Sequence, residues 1–169
     1  VVPFSYDTQF RPNIPWHYSA AGHADVANFG MYFWTLTSTL TREPGLYVMD
    51  AKTLADKPTV IYETNSARPN PYRGELPFIN AVFGSWQDWD AFFFHYYHGK
   101  YSGVDEATLA MAMPMGTTSH FWSAVEIERD PLMLSDIAMA GQIFLQGSIA
   151  PAADPIVYEL GKDAIFGYD

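Results

Sequence analysis

The chain contains no cysteine in its 169 residues. That removes a disulfide framework, a thiolate metal site and a cysteine nucleophile together, while leaving the redox compartment open. Basic residues are scarce too: nine Lys and Arg stand against nineteen Asp and Glu, a formal charge of −10. A surface of that sign repels phosphate backbones and anionic headgroups, so neither nucleic acid nor a membrane surface is an expected partner. No apolar run approaches the roughly 18 residues of a membrane span. Val1-Val2-Pro3 lacks the basic-then-apolar layout of a secretory leader, so any leader is expected to have been removed. There is no GxSxG elbow for Ser-His-Asp catalysis, and no Gly-rich or Walker-type phosphate loop.

What the chain does have is apolar bulk. Hydrophobic residues make up 49% and aromatics 17%, the reverse of the balance that keeps a polypeptide unfolded, and the length suits one domain with its own core. Residues 1–28 carry three prolines and no sustained period, and read as loop with at most a short strand. Residues 30–36 (GMYFWTL) are aromatic and β-prone, 37–44 form a connection, and 46–55 (LYVMDAKTLA) permit a short helix before a turn at 56–58. A strand follows at 59–62.

Asn70-Pro71 is an N-cap residue followed by proline at the first helical position. Behind it Tyr72, Leu76, Ile79, Phe83 and Trp86 are spaced as one helical stripe, with Pro77 near the first turn. Residues 91–97 (AFFFHYY) are continuously aromatic and predict a strand covered on both faces. The long excursion 98–129 suggests a strand pair near 118–127. Asp130-Pro131 repeats the cap-then-proline signature, and the stripe Met133, Ile137, Ala140, Phe144 stops at Gly147. The tail predicts one or two strands around Gly161-Lys162. Strand, helix, strand, helix in alternation implies parallel strands joined by crossovers.

The stretch TVIYETN (59–65) sets a glutamate directly behind a buried-type strand. In barrels of parallel strands, that is where reacting groups sit. A solvated carboxylate opening a loop is the plain alternative. The run KPTVIYETN (57–65) followed by PYRGELPFINAVFGSWQDWDAFFFHYY (71–97) resembles the seventh strand, seventh helix and eighth strand of clan A glycoside hydrolases, with Gln87-Asp88-Trp89-Asp90 similar to the entry into their aromatic last strand. DPLMLSDIAMAGQIFLQGSIAPA (130–152) is similar to the final barrel helix and its exit toward a β-rich accessory region. The resemblance covers residues 30–152.

It implies an α/β fold, the C-terminal portion of a (β/α)8 barrel comprising about strands 6 to 8 with their helices. Residues 1–152 would be the partial barrel and 153–169 the start of the β-rich segment. It implies a retaining glycoside hydrolase acting on a β-linked poly- or oligosaccharide, with Glu63 as nucleophile. A whole barrel takes about 250 residues, and the family's acid/base glutamate follows an asparagine on the fourth strand, whereas no Asn-Glu pair occurs here. The acid/base is therefore expected from outside this chain, from the rest of the same protein or a companion chain completing the barrel.

Sugars present apolar C–H faces to aromatic rings and hydroxyls to polar groups. The residues expected beside the carbohydrate are Tyr32, Trp34, Asn65, His95, Tyr97 and Trp122; for the aromatics, a place in the core is the plainer reading. Tyr32, on the strand preceding Glu63, is positioned to donate a hydrogen bond to that carboxylate. His95 and His98 lie three apart, on opposite faces of a strand, so no metal site is expected and no cofactor is implied. Trp89-Asp90 reads as structural, at the far end of the strand from the site, and Glu75 as a helix-start carboxylate. An acidic, cysteine-free, tryptophan-rich chain suits a secreted or periplasmic enzyme. The other functional reading is a non-catalytic carbohydrate-binding or structural module in which Glu63 is incidental.

Overall fold

Strands β1 (Ser5–Asp7), β2 (Val26–Phe33), β3 (Thr59–Ser66) and β4 (Ala91–Phe94) lie side by side in chain order, and each neighbouring pair is parallel. The computed structural model describes residues 5–7, 23–33, 36–41, 53–66, 68–97, 126–128, 130–157, 159 and 161. Parallel neighbours cannot be joined by a hairpin; helix α1 (Glu75–Trp86) carries the chain from β3 to β4, and α2 (Pro131–Leu145) follows. The expected parallel α/β arrangement is present, with four strands in the sheet among the described residues. β2 begins at Val26, four residues before the aromatic run that announces it. The Ala27 amide already bonds the Pro58 carbonyl at 2.9 Å, and ladder bonds of this kind ignore side-chain type.

One face of the sheet meets the helices. Phe29 and Met31 of β2 and Ile61 of β3 are buried there with Ile79 of α1 and Trp89, and Phe33, Phe83, Phe92 and Phe144 pack around them. The rings meet edge to face, Phe29 with Trp89 at 5.7 Å between centroids and Phe92 with Phe144 of α2 at 4.8 Å. Phe29 and Ile61 are wholly enclosed, and each such side chain contributes about 1.5–3 kcal/mol. The expectation that 91–97 is covered on both faces is corrected: Phe93 is 57% exposed, on the face away from the helices. The strand also ends at Phe94, because the carbonyls of Tyr96 and Tyr97 turn to accept from Ile127 and Glu128 at 3.1 and 2.9 Å.

Helix α1 starts at Glu75, not at Pro71. Asn70 is buried and uses its side chain locally, accepting from the Tyr72 amide at 2.8 Å and donating to Ser66 Oγ at 3.0 Å. Residues 71–74 are turns. A helix from Pro71 would carry Pro77 in its second turn, where the missing N–H and the ring both disrupt it. Starting at Glu75 makes Pro77 the third residue, whose N–H would have no helical acceptor. The ends of the expected stripe, Tyr72 and Trp86, are accordingly half exposed. Glu75 is the first helical residue; its Oε2 accepts from Ser38 Oγ and the Thr39 amide at 2.9 and 3.0 Å, tying the segment after β2 to the helix.

Helix α2 keeps its expected limits. Asp130 is the N-cap, accepting from the Met133 amide at 3.2 Å, with Pro131 in the first position. At the other end Gly147 takes a φ of +61°, and the paired bonds from Gly147 to the Phe144 carbonyl and from Ser148 to the Ile143 carbonyl close the helix. Met133 and Ala140 of its stripe are buried. Arg73 reaches Asp130 with two nitrogens, Nε at 2.5 Å and Nη2 at 3.1 Å, joining the entrance of α1 to the cap of α2.

Gly84 of α1 packs against the core ring of Trp89. A Cβ there would stand 2.7 Å from Cε3 of Trp89, a buried ring with little room to move. Gly84→Ala is expected to lower the melting temperature, since overpacking costs about 1–3 kcal/mol against about 1 kcal/mol gained in helix propensity. Gly141→Ala, whose Cβ meets nothing within 4 Å, is expected to raise it in the same thermal scan.

At the amino ends of the strands, the Asp90 amide bonds the Thr59 carbonyl at 2.9 Å and Asp90 Oδ2 accepts from the Thr59 amide at 2.8 Å. Trp89 is core. The structural reading of this pair is what its contacts describe. Of the other expectations, the helix over 46–55 falls mostly outside the described residues, and 53–57 carry a turn with Asp56 at a φ of 62°. The strand pair lies outside them up to 125, and 126–128 form no strand. In the tail, residues 151–157, 159 and 161 are not strand, and 162–169 lie outside. Among the described residues no helix is long and apolar enough to cross a membrane.

Candidate functional site

A bulge in β3 decides which way Glu63 points. Phe29 is in register with Ile61, but Gly30 is in register with Glu63, so Tyr62 is an extra residue against β2. The other neighbour agrees: Ile61 pairs with Phe92 and Thr64 with Phe94, three steps on β3 against two on β4. Strict alternation would send Glu63 to the side of Ile61, into the helices. The extra residue reverses this, placing Glu63 and Asn65 in register with Gly30 and Tyr32, on the face opposite the aromatic core. Bulges re-aim side chains in this manner and concentrate beside active sites. Gly30 brings no side chain, so nothing from β2 stands directly abreast of the carboxylate.

Three side chains converge. The Tyr32 hydroxyl donates to Glu63 Oε1. The same hydroxyl lies 2.7 Å from His95 Nδ1, and that nitrogen is 3.5 Å from Glu63 Oε1. The Glu63 side chain is 24% exposed and that of His95 33%, so the cluster is sheltered but within reach of a ligand. Burial, and then the hydrogen bond and charge of Glu63, push the Tyr32 phenol well above its ordinary value. A phenol so placed keeps its proton and remains a donor. The rings of Tyr32 and His95 stand edge to face at 89°.

The frame around them is polar and hydrogen-bonded. Asn65 is 1% exposed, donates from Nδ2 to the His95 carbonyl at 2.7 Å and accepts from the Ser66 amide at 2.7 Å. It holds the chain leaving β4 against β3. The His95 amide bonds the Thr64 carbonyl at 3.0 Å, continuing the ladder past the last strand residue. Further along, Arg68 is buried and donates to the Glu126 carbonyl at 2.7 Å. Its burial lowers its affinity for the proton, and Asp130 acts in the opposite sense. Tyr96, also half-buried and facing the charge of Glu126, is pushed up to about 12.

Of the residues expected beside a sugar, the fold brings Tyr32 and His95 to Glu63. Asn65 is adjacent, with its side chain committed to backbone groups. Tyr97 is 59% exposed and its carbonyl is bound by Glu128. Trp34, Trp122 and His98 lie outside the described residues. Two features escaped the sequence. The bulged strand carries no glycine of its own, the one at the register shift being Gly30 on β2, and Glu63 lies within an eight-residue strand, not after a four-residue one. The His95 contact joins residues 63 positions apart, beyond any local pattern.

Among the described residues no group of three His, Asp or Glu side chains is arranged to hold a metal ion. Protein-family models, curated proteins and solved structures yield no match to this chain.

Proposed function

We propose that the chain is the C-terminal part of a retaining glycoside hydrolase of the clan A kind, acting on a β-linked poly- or oligosaccharide, with Glu63 as nucleophile. The observation that carries this reading is the bulge-directed carboxylate, within a parallel strand, on the face away from the helices and bonded to a protonated tyrosine. In a closed barrel the helices lie outside, and side chains near the carboxyl ends of the strands form the site.

The proposed chemistry uses that carboxylate as follows. Tyr32 holds Oε1, and Oε2 attacks the anomeric carbon as the glycosidic C–O bond breaks and an acid protonates the leaving oxygen. The glycosyl ester on Glu63 is then displaced by water, whose proton goes to the same acid, now a base. That second carboxyl belongs roughly 5 to 5.5 Å from Glu63. We assign it to polypeptide outside this chain, since no Asn-Glu pair occurs in the sequence. The exposed ring of Tyr97 borders the sugar.

Incubating the intact protein with a panel of 2-deoxy-2-fluoro β-glycosides bearing a good leaving group tests the assignment by peptide mass mapping. The expected result is a stable sugar adduct on the peptide that contains Glu63. Turnover with an adduct elsewhere, or with inversion at the anomeric carbon, overturns it. Sugar binding with neither adduct nor turnover leaves a glycan-binding module instead.

A further inference from the structure

Tyr32 has one hydroxyl proton and two neighbours able to take it, Glu63 Oε1 and His95 Nδ1 at 2.7 Å. We infer that His95 is a positioning residue, whose Nδ1–H tautomer donates to the Tyr32 oxygen and so commits the tyrosine proton to Glu63. Neutral imidazole carries its proton on one nitrogen only, and the bonds around it select which.

Two contacts make the selection. With a bare Nδ1, the tyrosine proton would be contested, and the nitrogen lone pair would also face a carboxylate oxygen 3.5 Å away. With a proton on Nδ1, each donor has an acceptor: His95 to Tyr32, Tyr32 to Glu63. The second of these ends on a charge, and charge-assisted bonds are about twice as strong as neutral ones. The upward displacement of the Tyr32 phenol agrees, since the proton stays on oxygen. The ring cannot easily turn away from this order. Its backbone is fixed on both sides, by the Asn65 amide on its carbonyl and by its own amide on Thr64, and the Tyr96 ring lies 4.8 Å away.

The catalytic consequence rests on the glycosidase reading, but the tautomer does not. Histidine-selective 15N labelling of the intact protein, with long-range 1H–15N NMR at a pH where the ring is neutral, reads the proton's position directly; the His95 signals are assigned by their loss in His95→Asn. The expected result is a protonated Nδ1 in the wild type, with Glu63→Gln moving population toward Nε2–H. An Nε2–H ring in the wild type, or no response to Glu63→Gln, overturns the inference whether or not the protein turns over sugar. In active enzyme, His95→Phe is expected to lower kcat about 10- to 100-fold with little change in KM. His95→Asn, whose amide keeps a donor near the Nδ1 position, is expected to recover most of that loss. Equal losses in both variants, or a change confined to KM, overturn the positioning role.

Discussion

Glu63→Gln in the intact protein is expected, on the proposed glycosidase reading, to lower kcat by about 10⁴-fold or more while leaving substrate affinity near its starting value. Losses of that order accompany removal of a covalent nucleophile in other hydrolases. The amide has nearly the shape of the carboxylate, and its carbonyl oxygen can still accept the Tyr32 hydrogen bond. The strand, the bulge and the surrounding frame therefore persist. What disappears, under that reading, is the charge that would stabilise an oxocarbenium-like transition state and the oxygen that would form the glycosyl ester. Steady-state kinetics for turnover, with calorimetry for binding, separate the two effects. Wild-type-like rates would remove Glu63 from the reaction, whatever its surroundings.

The largest effect on stability is expected at Asp130. Its side chain is almost fully buried, caps α2 through the Met133 amide and pairs with Arg73 through both oxygens. Asp130→Ala removes the cap, leaves Arg73 unpaired and takes a counter-charge from buried Arg68. Removing one partner of a buried pair costs about 3–5 kcal/mol. Arg73 retains some solvent contact, which argues for about 3 kcal/mol, a fall of roughly 6–12 °C in Tm at this chain length. Asp130→Asn keeps a good capping group and should recover only the smaller part of the loss.

The sign of the pH dependence follows from the same contacts. Burial alone would raise the Asp130 carboxyl, but the Arg73 hydrogen bonds, the Met133 amide and the Arg68 charge outweigh it and hold the group below its ordinary 3.8. A folded-state value below the unfolded one means this stabilisation is present above the unfolded value and is lost as the pH falls through the folded one. Urea unfolding midpoints of the wild type and Asp130→Ala should therefore converge on acidification below about pH 4 and stay apart at neutral pH. A gap that widens in acid would show that the pair is not what Asp130 contributes.

Local signals served well wherever the backbone was the arbiter. Asp130-Pro131 and Gly147 mark both ends of α2 because cap geometry and positive φ are settled by two or three neighbouring residues. At Asn70-Pro71 the same signature misled: Pro77 was incompatible with a helix begun so early, and Asn70 turned its side chain to Tyr72 and Ser66. The strand limits were poorly marked, since β2 takes Val26 to Asn28 into the ladder through bonds supplied by its neighbours. For the site, the identity of Glu63 and its partner Tyr32 could be read from strand order. The direction of Glu63 and its tie to His95 could not, because register between strands distant in sequence determines both.

In β3 a count of residues, rather than any residue's chemistry, assigns the acid its side of the sheet. Were Tyr62 paired as an ordinary strand residue and the pleat uninterrupted, the same glutamate would swing into the oily layer on the side of Ile61. Every amino acid in TVIYETN would be unchanged, yet the phenol of Tyr32 would lose its counterpart. The face that carries the carboxylate is set by how β3 pairs with its neighbours, a property that composition alone does not hold.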